Sequence, residues 1–323
     1  MPDDQRDDQR PADDQHDNDQ HDDQRPADDR PDNDRPDNDG LVWDDTPELS
    51  HPILVAAFEG WNDAGSAASE AGAWLARRFG AERFAWVDPE VHFDFQSRRP
   101  EVELVDGVTR AITWPANELF AVRVDGPHDL VVLRGVEPHY RWRSFCRAVQ
   151  RVAGVTGCEL AVTFGALLAD VPHTRDPRVT GTASDPELVD RLGLARSRYE
   201  GPTGIVGVLQ DSFRGAGVAS ASLWAPVPHY VAAPPHPVAT RAILGRFAGL
   251  AGLTLDLSEL DGVAEAWRRR VDEVAAGDDD ITSYVRSLEE RFDTDDPIEG
   301  ELPSGDSLAA ELERFLREQR GDT

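Results

Sequence analysis

Phe58-Glu59-Gly60-Trp61-Asn62-Asp63-Ala64-Gly65 decides how this chain reads, because it follows the apolar run Ile53 to Ala57 and opens an alanine-rich segment of helical spacing. An apolar run, a turn rich in Gly, Asn and Asp, and an amphipathic segment make a strand, a turn and a helix. In an α/β sheet such a turn lies at the carboxyl end of a strand, where backbone N–H groups at a helix start face a crevice able to hold a ligand. Function is sought there first.

Working outward, Ala64, Ala67, Ala68, Ala71, Trp74, Leu75 and Phe79 recur at helical spacing, so Trp74 reads as packing rather than as a binding aromatic. Ile53 to Phe58, Phe84 to Val87, Phe120 to Val124, Leu130 to Arg134 and Leu160 to Phe164 read as strands, and their alternation with helical patterns predicts an α/β fold with a mostly parallel sheet. Residues 101 to 113 alternate about Asp106-Gly107, which predicts a β-hairpin appended to that sheet. A helix is expected from about Tyr140 to Ala153, and Asp185-Pro186-Glu187 supplies the start signals of a short one. Ala219 to Trp224 reads as a last strand, closed by the prolines of residues 226 to 237.

Beyond that point the character changes. Val238 to Leu250 is helical, two further stripes run through Leu257, Leu260, Val263, Ala264, Trp267, Val271 and Val274 and through Ile281, Tyr284, Val285, Leu288 and Phe292, and a final one through Leu308, Leu312, Phe315 and Leu316. Three parts are expected: an acidic disordered tail over 1–40, an α/β core domain over 41–237 and an all-helical subdomain over 238–323.

Residues 1–40 hold sixteen Asp against five Arg, and so carry 11 of the 29 negative charges of the chain. So charged a segment cannot offset its ordering entropy by burial. Nucleic acid and anionic membrane surfaces are not expected partners of so acidic a protein. The chain contains no lysine, which excludes Schiff-base chemistry and a phosphate-loop Lys. Cys146 and Cys158 show no metal or redox spacing and read as buried small hydrophobes in a reducing compartment. No apolar run approaches the length of a spanning helix, and a cytoplasmic location is expected.

Four polar clusters carry the candidate site. Glu59, Trp61, Asn62 and Asp63 occupy the opening turn, where the structural alternative is that Asn62 or Asp63 caps the helix while Trp61 packs on the sheet edge. His173, Arg175 and Arg178 follow a strand and offer guanidinium forks for phosphate or carboxylate, with ion pairs to neighbouring carboxylates as the alternative. Tyr199, Glu200, Thr203 and Gly204 precede the apolar residues 205 to 209, where Thr203 is placed to cap a helix. His229 and Tyr230 end a strand, where His229 is a conceivable general base or a hydrogen-bonded structural residue. Each cluster lies at a strand end or a helix start, so all four are expected to converge on one pocket. No triad, metal-ligand set or nucleotide fingerprint is present, and neither a metal nor a cofactor is expected.

Taken together, FEGWNDAG at 58 to 65, ADVPHTR at 169 to 175, RYEGPTGIVGVL at 198 to 209 and SLWAPVPHYV at 222 to 231 resemble the actinobacterial branch of the proteasome assembly chaperone 2 family. The likeness spans about Leu41 to Leu250. It implies a three-layer α/β/α sandwich similar to nucleoside phosphorylases and hydrolases, and a non-catalytic binding protein acting as a homo-oligomer, with a trimer expected and proteasome α-subunits as the implied partner. Archaeal relatives end in a hydrophobic-tyrosine-variable tripeptide, whereas this sequence ends Arg320-Gly321-Asp322-Thr323. The competing expectation is a nucleoside hydrolase-like or phosphorylase-like enzyme, or a small-molecule sensor, with His173 and Arg175 on an anion and Asp63, Glu200 or His229 near the reacting bond. An ATP-grasp ligase fits poorly, because nothing in a lysine-free chain resembles its phosphate loop.

Overall fold

The computed structural model describes residues 39–294, apart from Val108 and residues 185–187, 191–193 and 195–200. The helix start at Asp185 and the stripe from Leu308 to Leu316 lie outside the described residues. In chain order the principal elements are β1 (Leu41–Trp43), β2 (Ile53–Glu59), α1 (Ala67–Arg78), β3 (Glu82–Val87), α2 (Pro89–His92), β4 (Glu101–Val105), β5 (Thr109–Thr113), β6 (Asn117–Val122), β7 (Leu130–Val136) and α3 (Trp142–Thr156). They continue with β8 (Leu160–Ala169), β9 (Thr180–Ala183), α4 (Ile205–Gly215), β10 (Ala219–Pro228), α5 (Pro237–Ala251), α6 (Ser258–Ala275) and α7 (Asp279–Thr294).

Eight strands form one sheet in the order β1-β3-β6-β7-β2-β8-β10-β9. Its centre, β7-β2-β8-β10, is parallel, and antiparallel strands flank it on both sides. Strand β2 is apolar along its length because both of its faces are covered. Ile53, Val55 and Ala57 pack into one core with Ala68, Ala71 and Leu75 of α1 and Ile243, Leu244 and Phe247 of α5. Leu54, Ala56 and Phe58 point the other way, to Phe145, Val149 and Val152 of α3 and Leu209 and Phe213 of α4. The result is a three-layer α/β/α sandwich in which each large side chain so buried contributes about 1.5–3 kcal/mol. Helix α1 lies close on the sheet: a Cβ at Gly72 would sit 2.8 Å from the Ala57 Cβ.

Three features differ from the sequence expectation, each for a physical reason. The hairpin forms as read, with positive φ at Asp106 and Gly107, but β4 and β5 make a separate two-stranded sheet rather than joining the main one. Strand β10 does not stop at Trp224, whose partner Thr180 is the last residue of β9 along it; Pro226 and Pro228 continue beside β8 as far as Ala169. Proline is tolerated there because β10 has lost its second neighbour, so no N–H is needed on that side. Helix α5, grouped by its position in the sequence with the C-terminal helices, belongs to the sandwich by packing. Among the described residues α6 and α7 have few buried side chains of their own, Ala264 and Ala275 on α6 and Val285 and Leu288 on α7, and Leu260 of α6 packs against the α1/α5 core.

Candidate functional site

The turn after β2 lies at the carboxyl ends of the parallel strands, as its sequence requires. Asp63 is its structural anchor. Its Oδ1 accepts from the N–H groups of Ala68 (2.8 Å) and Ser69 (3.1 Å), and its Oδ2 from the Ser69 hydroxyl (2.5 Å), so the carboxylate caps α1. Burial raises the Asp63 carboxyl above the ordinary aspartate value, against the opposing effect of these bonds. Trp61 does not pack on the sheet edge; it is 57% exposed. With Asn62, Leu167, Leu168, Thr203 and Trp224 it lines an open cleft of about 420 Å³. Among the described residues the lining contains no arginine or histidine, so the cleft is apolar and offers no cation to a phosphate.

The floor of this region is organised by Glu137, a residue the sequence reading missed. It follows directly on β7, and its Oε1 accepts from the N–H of Ile205, the first residue of α4, at 2.8 Å. Its Oε2 lies within 3.4 Å of the Trp61 N–H, and its own N–H donates to the Glu59 carbonyl at 2.8 Å. Thr203 therefore does not cap α4. Gly204 occupies the N-cap position and a carboxylate from another strand end does the work of the cap. The glycine is needed for close approach, since a Cβ there would meet Asn62 Oδ1 at 2.0 Å and Glu137 Oε1 at 2.7 Å. The signal for Glu137 was the strand-end rule itself: the strand was read only to Arg134, two residues short of its end. Glu59 faces outward and pairs with Arg98 at 2.5 Å.

The second cluster is elsewhere. His173 is buried, and the Tyr230 hydroxyl accepts from its backbone N–H (2.8 Å) while lying 2.7 Å from its Nδ1. The His173 Nε2 faces Asp272 Oδ1 of α6 at 2.9 Å, and since a carboxylate only accepts, the ring donates there. Burial pushes the Tyr230 hydroxyl up to about 12. Arg175 sets its fork on Asp293 of α7 through Nε (3.0 Å) and Nη2 (2.8 Å), and its Nη1 donates to Glu289 at 3.1 Å. Arg178 donates to the Phe292 carbonyl at 2.9 Å and lies 4.0 Å over the Phe292 ring. His229 is 3.1 Å from Asp170 and 3.4 Å from the Tyr284 hydroxyl.

The four clusters thus do not form one pocket. Glu59, Trp61, Asn62, Asp63, Thr203 and Gly204 meet around the cleft and its floor, whereas His173, Arg175, Arg178, His229 and Tyr230 fasten the C-terminal helices, which is the ion-pair alternative. Tyr199 and Glu200 lie outside the described residues. The partners of the second group, Asp272, Glu289 and Asp293, carried no signal in the sequence beyond being acidic residues of helices. Among the described residues no group of three or more His, Cys, Asp or Glu is placed to hold a metal ion, and no helix is long and apolar enough to cross a membrane.

Comparison with known proteins agrees with the fold. The family model described as PAC2 family matches residues 57–275. A PAC2 family protein from Streptomyces avermitilis is 50% identical, with a TM-score of 0.69 over 72% of this chain and 99% of that one. A proteasome-assembly chaperone homologue from Mycobacterium tuberculosis is 44% identical, with a TM-score of 0.67 over 72% of this chain and 99% of that one. An archaeal proteasome activator from Pyrococcus furiosus shares the fold at 17% identity and a TM-score of 0.59, over 72% of this chain and 97% of that one. No curated protein sequence matches the chain.

Proposed function

The chain belongs to the PAC2 family, and from that premise we propose that it is a non-catalytic, chaperone-like binding protein of the cytoplasm that acts as a homo-oligomer on proteasome α-subunits. One observation carries the reading: the side chains suited to catalysis are used up inside the molecule, and what the cleft leaves open is aromatic and aliphatic surface. Asp63 is bound to the start of α1, His173 is held between Tyr230 and Asp272, and Arg175 is held by Asp293 and Glu289. Trp61 and Leu168, in contrast, stand exposed at the cleft. Such a surface binds a partner and offers nothing to a reacting bond.

Subunit contacts come from the C-terminal helices in this proposal, with a trimer as the assembly. Support lies in the apolar residues that α6 leaves uncovered, Val263 at 51% and Val274 at 70% exposure. Co-elution of the purified protein with proteasome α-subunits, and a changed rate of their assembly into rings, is the expected result. A protein that neither co-elutes nor alters the rate defeats the reading.

A second reading, a nucleoside-type enzyme or sensor, rests on the cleft's size and on a half-buried carboxyl, Asp63, in its lining. It requires thermal stabilisation by nucleosides or phosphate, because a ligand bound only by the native state raises stability by mass action. An unchanged melting temperature at millimolar ligand removes it.

A further inference from the structure

The β4–β5 hairpin stands apart from the sandwich. Its strands pair with each other in a sheet of their own, and Pro100 and Pro115, which cannot donate to a ladder, bracket them. The register sets Val102 opposite Ile112 and Leu104 opposite Arg110. Side chains alternate along a strand, so these four share one face, and Trp114 is the next position of the same repeat at the hairpin's base. Glu101 and Glu103 belong to the other face.

The first face is apolar and uncovered: the exposure of Val102, Leu104, Ile112 and Trp114 runs from 45% at Trp114 to 64% at Leu104. A two-stranded hairpin is marginally stable in water by itself, and a contiguous apolar face with a polar surround is a contact surface. Its pattern names the partner. From base to tip the face runs aromatic, aliphatic, cation: Trp114, whose ring rests on Phe95 at 4.9 Å between centroids, then the Val102–Ile112 pair, then Leu104 with the exposed Arg110. That order is its own complement. A two-fold axis through the Val102–Ile112 pair lays the pair on its counterpart and brings Arg110 of one copy to Trp114 of the other, a cation on an aromatic face. Pairing through the strand edges instead would leave the apolar face in water.

We propose that this face binds the same face of a second copy about a two-fold axis at Val102 and Ile112. The contact goes beyond the trimer proposed above and is separate from it, since a two-fold contact cannot close a ring of three. Each strand is five residues long, or about 17 Å, so the face is smaller than a standard interface and a single such contact is weak. Three of them joining two trimers act together, because the first to form makes the others intramolecular. The resulting assembly is a dimer of trimers.

The test is light scattering on the full chain over a range of concentrations. Ile112→Glu sets two carboxylates against each other at the axis and is expected to halve the mass of the assembly, as is Ile112→Arg for the same reason. Residue 112 is exposed, so both variants should melt with the parent. Mixing the two variants is expected to restore the full mass, because each contact then joins a carboxylate to a guanidinium, and only a face that meets itself behaves so. Variants with the mass of the parent, or a mixture that stays at half mass, overturn the proposal. A parent that is a concentration-dependent dimer, with monomeric variants that mixing restores, keeps the hairpin contact and removes the trimer; a parent that stays a trimer at every concentration does the reverse. Variants of unchanged mass that no longer associate with α-subunits assign the face to that partner and overturn the two-fold contact.

Discussion

The cleft at residues 59–65 and the cluster at 173–178 both follow a strand of the parallel centre, and the molecule treats them in opposite ways. In the cluster every strong donor is met by a carboxylate or carbonyl of α6 or α7, so its chemistry is spent on holding the chain to itself. In the cleft Asp63 caps α1 and Glu59 pairs with Arg98, but Trp61 remains uncovered. What separates structure from function here is who satisfies a side chain, and a strand-end position alone does not reveal that.

The contrast is broken most severely by loosening the clamp. Leu288 of α7 is fully buried, and Leu288→Ala is expected to cost about 2–5 kcal/mol in urea unfolding; an unchanged midpoint would mean that α7 is not part of the folded unit. Next comes acid. His236 stands between the two regions: its N–H donates to the Gly65 carbonyl, its Nδ1 caps α5 at Ala239, and its ring lies 4.3 Å from that of Trp267 on α6. Burial lowers it from 6.5 to about 4. A histidine kept neutral in the native state stabilises fully above pH 6.5, and that stability is lost as pH falls towards about 4. The gap converts to about 3 kcal/mol. His236→Asn, which keeps a capping acceptor but does not titrate, should flatten this limb of the stability curve, and an unaltered limb would assign it to other groups.

His173→Ala is expected to cost about 2 kcal/mol, because it empties a buried site, removes the bond to Asp272 and leaves the half-buried Tyr230 hydroxyl without its partner; hydrogen exchange confined to α6 and α7 would sharpen the claim, and exchange spread through the sheet would count against it. The smallest effect belongs to the open side. Trp61→Ala should change stability by less than about 0.5 kcal/mol while abolishing partner association. A large loss of stability there would show that the cleft is packing after all.

Much of this was legible in local spacing. The alanine-rich stripe of α1 announced a core-facing helix, and Asp106-Gly107 announced the hairpin, because a turn with two positive φ values admits few other pairs. The opening turn located the cleft for a similarly local reason. Thr203 was misread because capping was sought within the same segment, whereas Glu137 reaches Ile205 from 68 positions away. Arg175 was ambiguous for the same cause: its partner Asp293 lies 118 positions on, and nothing in either segment names the other.

The sequence by itself determined most of the elements, though not β1, β9 or α2, together with the parallel centre of the sheet and the edge at which to look, since these follow from periodicity and turn chemistry within a few residues. Tertiary structure alone decided which polar groups are closed and which are open. A charge or hydroxyl is silent about its partner until the chain has folded, because pairing depends on distance in space and the solvent left around it.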